Sequence, residues 1–401
     1  MKKIKYNLLD NAFSSKDLKE GIKVLKSGQI TMSQKTSNFE NFFAKKNNSN
    51  YAIMVNSGSS ANLLSVAAAC NPLRPIHLKK NDEILIPAVC WSTSLWPLVQ
   101  YGLKPVFVDI DLSDLNMSIY DLKKKITPKT KAIMCVHLLG LSSNMSEIVK
   151  IAKRKKLIVI EDTCESLGSK FKSRNLGNFG DFGTYSFYYS HQITSGEGGM
   201  IVCKNDFDYN LLKCLRSHGW SRNTSFHKYY KNKYKNLDDK FLFINSGYNL
   251  RPLDINAAIA HNQYKRLNSF IKIRSNNRNL IISSLQKHKN WNNQFNFILP
   301  NNNIKPSWFG LPILINKKIK VDKKKFLNFL DKKGIENRPI VSGNFLNQPA
   351  IKLFKLRTKG KFKNSEIIEN RGFFIGLHTK KLSNSKAKFL ADTMLEISNL
   401  K

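Results

Sequence analysis

LIVIEDTCESLGSKFKSRNLGNFGDFGTYSFYYSHQITSGEGGM, residues 157–200, is the stretch whose reading decides the fold. Leu157–Ile160 is a short apolar, β-branched run of the kind buried in a sheet, and it delivers Glu161 and Asp162 at its carboxyl end. Thr184–Tyr188 and Met200–Cys203 read as two further strands; the first runs on to Ser190-His191 and a glycine-rich turn. An acid at the end of a buried strand serves as a metal ligand, a general base, a partner for a cationic heterocycle, or a helix cap. His191, taken alone, suits a packed or surface position as well as a catalytic one. The neighbouring sequence has to choose among these.

Outward from that stretch the same rhythm repeats. Tyr51–Val55, Glu83–Ile86, Pro105–Asp109 and Ala132–His137 read as buried strands, with Ser60–Cys70, Thr93–Tyr101 and Ser146–Lys155 as helices between them. Strands alternating with helices give an α/β layer around a mostly parallel sheet, and such sheets gather ligands at the carboxyl ends of their strands. Asn223–Asp239 is polar, aromatic and lysine-rich, the composition of an exposed excursion. Pro252–Phe295 is helical in pattern, and the remainder mixes strands (Trp308–Ile315) with helices (Lys323–Lys333). The expected division is an N-terminal segment and large α/β domain over residues 1–250, then a smaller α+β domain over residues 251–401.

Composition excludes several classes. With 41% hydrophobic and 23% charged residues, the chain is too apolar for a disordered protein. The formal charge of +38 comes from 54 lysines and 12 arginines spread along the whole length, a compositional bias rather than a nucleic-acid-binding patch. Six cysteines (Cys70, Cys90, Cys135, Cys164, Cys203, Cys214) show no CxxC spacing and fall mostly in apolar runs. That argues for reduced thiols in a cytoplasmic protein, and against a disulfide scaffold or a metal site. The basic start MKKIKYNLLDNAFSSKD lacks the apolar stretch of a signal peptide. Ile84–Leu103 is uncharged and long enough to span a bilayer, but Pro87, Pro97 and a Ser-Thr-Ser cluster break it into strand, loop and helix start. A soluble chain with no membrane partner is expected.

Asn56-Ser57-Gly58-Ser59-Ser60-Ala61-Asn62 joins the Tyr51–Val55 strand to a helix, and the N–H groups and hydroxyls of such a helix start suit a phosphate. After the next strand, PAVCWSTS places Trp91 where its indole can lie flat over an aromatic ligand. With the strand-end Asp162 and the Ser186 hydroxyl on a later strand, this set meets the needs of pyridoxal phosphate. The cofactor requires a phosphate cradle, a stacking face, and a carboxylate that keeps its pyridine nitrogen protonated.

The ordered motifs SGSSANLL, PAVCW, EDTCESLG, GDFGTYSFYYSHQITSGEGGM and GYNLRPLDINAAIA cover almost the whole chain. They resemble the DegT/StrS-type family of sugar-modifying, fold-type I aminotransferase-like enzymes. The resemblance implies the pyridoxal-phosphate-dependent fold of that family, with a large mostly parallel domain and a smaller C-terminal one. Ordinary members hold the cofactor through a lysine, and this sequence has His191 at that position. A histidine there resembles the branch that removes the C3 hydroxyl of nucleotide-linked 4-keto-6-deoxysugars. One group of that branch carries an iron–sulfur cluster on a cysteine-rich insertion; the corresponding region here, CLRSHGWSRNTSFHKYY, has only Cys214, so no cluster is expected. The group acting on GDP-4-keto-6-deoxy-D-mannose, which leads to colitose and O-antigen, is the nearer resemblance. Its match runs through EDTCESLG, SFYYSH, SWFG, RPIVSGNF and NRGFFIG.

Carried over position by position, the resemblance implies that Gly58, Ser59 and Ser186 hold the phosphate. Trp91 would stack on the ring, Asp162 pair with the pyridine nitrogen, and Glu165 sit near the ring hydroxyl. Asn249 would reach the phosphate from a neighbouring subunit, which implies a homodimer with a shared active site. His191 would move the protons. His218 and Arg338 are the expected contacts to the nucleotide-sugar substrate. The cofactor would be held non-covalently and cycle through its pyridoxamine form, with L-glutamate as amino donor and ammonia released. Two other readings compete with this one: a sugar aminotransferase in which Lys170 or Lys172 replaces the missing lysine, and a non-catalytic binding homologue. His137, in CVHLLG, reads equally as pocket-lining or packed.

Overall fold

The computed structural model describes residues 4–10 and 12–400. Its strands are β1 (Tyr51–Val55), β2 (Glu83–Pro87), β3 (Lys104–Val108), β4 (Thr130–Val136), β5 (Ile158–Asp162), the short β6 (Lys170–Phe171) and β7 (Arg174–Asn175), β8 (Phe182–Ser186) and β9 (Gly199–Cys203). Seven of them form the central sheet in the order β1-β9-β8-β5-β4-β2-β3. Within it β9 alone runs against the others, pairing antiparallel with both β1 and β8. β5 and β8 are buried along their whole length. Burial on both faces is why these segments read as continuous apolar runs rather than alternating ones.

The helices beside this sheet pack in two groups. Helix α1 (Ser15–Ser27) packs against the helix Asp254–Tyr264, which also packs against α2 (Gln34–Asn47). Helix α3 (Gly58–Ala69) lies across β8 and β9, and α4 (Ser92–Gln100) packs beside it. Downstream, β10 (Phe295–Phe297), β12 (Gly310–Ile315), β13 (Asn337–Pro339) and β14 (Gly372–Gly376) form an antiparallel sheet in the order β10-β12-β14-β13. The intervening β11 (Ile304–Lys305) joins β6 and β7 in a small separate sheet. One apolar core runs without a break from Leu64 and Leu95 through Trp308 and Leu311 to Phe373.

Because β1, β2, β5 and β8 are parallel, their carboxyl ends open on one edge of the sheet. Register fixes who meets there: Asp162 stands opposite Thr184, while Val55 and Ser186 flank Gly199 from either side. A side chain at Gly199 would sit 2.2 Å from the Ser57 carbonyl oxygen, so the turn after β1 closes over a residue that must be glycine. One sequence reading needs correction here. β8 ends at Ser186, and His191 lies in the loop beyond it rather than on the strand. The ladder ends there: Ser186 pairs with Gly199, the first residue of β9, and beyond it Phe187 N–H still donates to the Gly198 carbonyl before the chain leaves the sheet. The chain then turns, with His191 N–H donating to the Tyr188 carbonyl. Ile84–Leu103 resolves into β2, a loop and α4, and no helix among the described residues is long and apolar enough to cross a membrane.

Candidate active site

The start of α3 is the segment whose N–H groups suit a phosphate, the candidate cradle. Ser57 caps the helix, its Oγ accepting from Ser60 N–H at 3.0 Å. That leaves Gly58 and Ser59 as first-turn residues whose N–H groups have no partner within the helix. Ser186 stands against this turn. Its Oγ accepts from Tyr188 N–H at 3.2 Å, leaving its own hydroxyl hydrogen free to donate. A Cβ built on Gly58 would lie 2.6 Å from Ser186 Cβ and 3.0 Å from both Ser186 Oγ and Cys164 Sγ. The space is kept open by the absence of a side chain. Ser59 Oγ donates to Thr93 Oγ1 at 3.1 Å, which ties the cradle to α4. The N-cap of α4 is Trp91, whose indole is 57% exposed beside an otherwise buried loop.

Asp162 is 4% exposed and receives three hydrogen bonds. Oδ2 accepts from Asn62 Nδ2 at 2.7 Å and Ser94 Oγ at 2.6 Å, and Oδ1 accepts from Cys164 N–H at 3.1 Å. Asn62 is itself fixed by Thr184, whose hydroxyl donates to Asn62 Oδ1 at 2.6 Å. No lysine, arginine or histidine among the described residues forms an ion pair with this carboxylate. A buried carboxylate with donors but no counter-ion is built to receive a cation. A protonated pyridine supplies one.

His191 faces the same opening. Its Nδ1 lies 2.6 Å from the Cys164 carbonyl oxygen. A carbonyl can only accept, so Nδ1 carries the hydrogen and Nε2 keeps its lone pair. Tyr188 and Phe309 present their rings nearly perpendicular to the imidazole, at 6.0 and 5.1 Å. Burial, aided by the Arg274 charge, lowers the His191 pKa to about 4 against the opposing pull of the Cys164 carbonyl and Asp162. The imidazole is therefore neutral at pH 7 and able to take a proton. Glu165 moves the other way: burial, with the Asp162 charge adding to it, raises its carboxyl to about 7, although Oε2 accepts from Leu139 N–H at 2.9 Å. The next residue after His191 locks the two together, Gln192 Nε2 donating to the Glu165 carbonyl and, at 3.1 Å, to that of Ser307.

Comparison with known proteins bears on this arrangement directly. Residues 12–394 match the DegT/DnrJ/EryC1/StrS aminotransferase family. The chain belongs to that family. It is 40% identical over 382 residues to the GDP-4-keto-6-deoxy-D-mannose 3-dehydratase of Escherichia coli O55:H7, covering 94% of this chain and 96% of the relative. The corresponding enzyme of Yersinia pseudotuberculosis is 36% identical, over 96% and 97%. A solved structure of the E. coli enzyme with bound hydrated PLP superposes with a TM-score of 0.89 at 39% identity, over 98% of this chain and 99% of that one. Another, with a trapped PLP-glutamate geminal diamine, gives 0.89 at 38% identity over 97% and 100%.

Within this DegT/StrS-type framework the site residues fall into two groups. Gly58, Ser59, Trp91, Asp162, Glu165, Ser186 and His191 converge at the carboxyl edge of the sheet through the contacts above. The other three lie elsewhere on the chain. Asn249 is exposed, on a segment bridged to Ser217, and its Oδ1 accepts from Arg251 Nε at 3.1 Å. The following carbonyl, of Leu250, accepts from Asn56 N–H, which ties this segment to the turn after β1. His218, one residue beyond that bridge, has a left-handed backbone (φ 64°) and packs its ring against Trp220. Arg338 is an exposed β13 residue whose Nη1 donates to the Asn337 carbonyl.

The buried histidine is settled. His137 is 1% exposed; its Nδ1 accepts from Ser143 N–H, so Nε2 carries the hydrogen toward Glu161 Oε2 at 3.2 Å. Glu161 also accepts from Gly177, Phe179 and Gly180 N–H groups at 2.7–2.9 Å. Burial pushes its carboxyl up, and those hydrogen bonds bring it below the ordinary glutamate value. This pair holds the 177–180 turn and takes no place at the carboxyl edge. Lys170 lines a groove of about 340 Å³ with Phe42, Lys46 and Tyr264 that shares no residue with the site, and Lys172 is exposed. Sequence reasoning passed over Asn62 and Ser94. Asn62 could have been noticed as a polar residue in the helix run ANLLSVAAA, whereas Ser94, third in the cluster Ser92-Thr93-Ser94, carried no distinguishing signal.

Proposed function

We propose that this protein removes the C3 hydroxyl of GDP-4-keto-6-deoxy-D-mannose, using pyridoxal phosphate and glutamate, to give a 3-deoxy-4-keto sugar, ammonia and 2-oxoglutarate, glutamate supplying the two electrons. The observation that carries the reading is His191. It occupies the position where ordinary family members have lysine, and its Nδ1 is committed to the Cys164 carbonyl while Nε2 is free. Such a group exchanges protons but forms no stable covalent link to an aldehyde.

The residues present fit the cofactor: the cradle is open at Gly58, and Asp162 lacks a counter-ion. When bound, pyridoxal phosphate supplies an electron sink that draws charge away from the reacting carbon. The chain does the rest. Gly58 and Ser59 N–H groups and the Ser186 hydroxyl hold the phosphate, and Trp91 covers one face and excludes water. Asp162 keeps a proton on the ring nitrogen. His191 Nε2 takes a proton from the carbon next to the ring and returns it toward the departing C3 hydroxyl, which leaves as water. Glu165, whose carboxyl lies near neutrality, can hold or give a proton at the ring hydroxyl. His218 and Arg338 are the proposed contacts to the nucleotide sugar, outside the group that converges at the carboxyl edge.

A homodimer completes this reading. Asn249 is exposed on the segment tied to the turn after β1, and α1 presents Leu18, Ile22 and Leu25 to solvent, with Ile30 and Leu253 exposed on the segments that follow α1 and Asn249. These apolar side chains suit burial by a second copy, whose cradle Asn249 would reach. Mixing inactive Asn249→Ala and His191→Asn subunits should then restore activity in the hybrid.

The deciding experiment incubates the protein with the GDP-keto sugar, pyridoxal phosphate and glutamate, following by mass the loss of one oxygen from the sugar together with release of ammonia and 2-oxoglutarate. An amino-sugar product without ammonia would establish the aminotransferase instead.

A further inference from the structure

The hydrogen bonds around Asp162 are unequal, and the inequality carries information. A carboxylate has about four lone-pair sites, two on each oxygen. On Oδ2 both are filled, by Asn62 Nδ2 at 2.7 Å and Ser94 Oγ at 2.6 Å. On Oδ1 the one strong donor is Cys164 N–H at 3.1 Å, and the Cys164 thiol, a weak donor, also faces the carboxylate. The place left for a strong donor therefore sits on Oδ1. Asn62 and Ser94 are 1% and 0% exposed, so neither exchanges its bond for water. Asn62 cannot rotate freely either, because Thr184 Oγ1 donates to its oxygen at 2.6 Å and so fixes which end faces Asp162.

We propose that Asn62 and Ser94 are positioning residues that hold Asp162 as a carboxylate with Oδ1 presented to the cofactor, so that the shared proton stays on the ring nitrogen. This rests on the reading that Asp162 pairs with that nitrogen. Hydrogen bonds to the charged form of a carboxylate weaken it as a base. The two neutral donors fix Oδ2 and leave the Oδ1 lone pair turned to the ring nitrogen, an arrangement that favours the cationic ring as its partner. The other titratable groups near Asp162 are Cys90, Cys164, Glu165 and His191. Burial keeps both thiols protonated and the imidazole neutral and raises the Glu165 carboxyl to about 7, so no cation beside Asp162 takes the place of the two neutral donors. The arrangement also couples two jobs in one short helix: α4 carries Trp91 at its N-cap for the ring face and Ser94 in its first turn for the carboxylate.

The test reads the proton and not the turnover. Protein loaded with ring-¹⁵N pyridoxal phosphate is examined by NMR, where the nitrogen shift reports protonation. Wild type should show a protonated ring. Ser94→Ala and Asn62→Ala should each move the proton's partition toward the carboxylate by about tenfold, the effect of one hydrogen bond to a charged group. Ser94→Thr, which keeps the hydroxyl, should restore the wild-type signal. If both alanine variants keep the ring as protonated as wild type, the proposal is wrong. Asp162→Asn separates the two layers: a ring that stays fully protonated there removes the Asp162 reading itself. Should Asn62→Ala fail to fold, Ser94→Ala decides alone, since it deletes one oxygen and leaves the packing in place.

Discussion

Replacing Gly58 with alanine sets two opposed effects against each other, and the structure says which prevails. Gly58 opens α3, and alanine in a helix is better than glycine by up to about 1 kcal/mol. The new methyl, however, would stand 2.6 Å from Ser186 Cβ, nearly an ångström inside ordinary contact, and 3.0 Å from Ser186 Oγ and Cys164 Sγ. Ser186 Cβ cannot swing aside, because it is fixed to a buried strand held by β5 and β9 on either side. Relief has to come from moving α3 away from β8. Overpacking of this kind costs about 1–3 kcal/mol, so Gly58→Ala should lower the stability of the cofactor-free protein by roughly 0–2 kcal/mol.

The larger effect falls on the cradle. Moving the first turn displaces the Gly58 and Ser59 N–H groups from a phosphate, and loss of one charge-assisted bond weakens binding by roughly 10- to 100-fold. Scanning calorimetry with and without pyridoxal phosphate measures both quantities, since a ligand that binds only the folded state raises its stability by RT ln(1 + [L]/Kd). A variant that is more stable than wild type and binds the cofactor with unchanged Kd would refute the cradle.

Three further outcomes are expected. His191→Asn should keep cofactor binding while turnover drops ~10²–10⁴-fold, whereas His191→Lys should gain a borohydride-reducible link to the cofactor at that residue as dehydration falls; mass spectrometry of the reduced peptide reads the link. For pH, Glu165 in the folded protein titrates near 7, above its ordinary 4.5, so its contribution to stability is present below 4.5 and lost as pH rises through 7; His191, near 4 against 6.5, contributes stability that is lost as pH falls from 6.5 to 4. Thermal unfolding of the cofactor-free protein should accordingly show Glu165→Gln gaining on wild type from pH 5 to 8, and His191→Asn gaining as pH falls below 6.5. Glu161→Gln should destabilise by ~2–4 kcal/mol in urea unfolding, because an amide cannot accept from all four donors that face the carboxylate, while cofactor affinity stays unchanged.

Much of the architecture was legible because burial leaves a periodic trace. Tyr51–Val55 and Lys323–Lys333 have the limits that their apolar patterns suggest, and the other elements of the α/β layer shift by a few residues. The end of β8 was not legible, because it depends on where the partner strand begins, and β9 starts opposite Ser186 for reasons outside the local sequence. The polar network was the least visible part. Asn62 and Ser94 reach Asp162 across 100 and 68 residues of chain, and a hydrogen bond between distant positions leaves no period to detect. The Glu161–Asp162 pair shows the same limit. Both acids end the same strand, but alternation along β5 turns one toward His137 and the 177–180 turn and the other toward the cradle.

The exchange of lysine for histidine needs no change in the surroundings to alter the chemistry. Burial and the Arg274 guanidinium, whose Nη2 donates to the His191 carbonyl at 3.4 Å, disfavour a cation at position 191 whichever side chain stands there. An amine in that place would lose its proton as the imidazole does and become a nucleophile. The same electrostatics thus prepare either residue as a base. What differs is the bond each can make: an amine condenses with the cofactor's aldehyde, whereas the imidazole, tied at Nδ1 to the Cys164 carbonyl, has only the Nε2 lone pair to offer a proton. The cradle, Trp91 and the Asp162 network serve both outcomes equally. Position 191 alone decides whether the pocket holds its cofactor by a covalent bond or leaves it free and moves protons beside it.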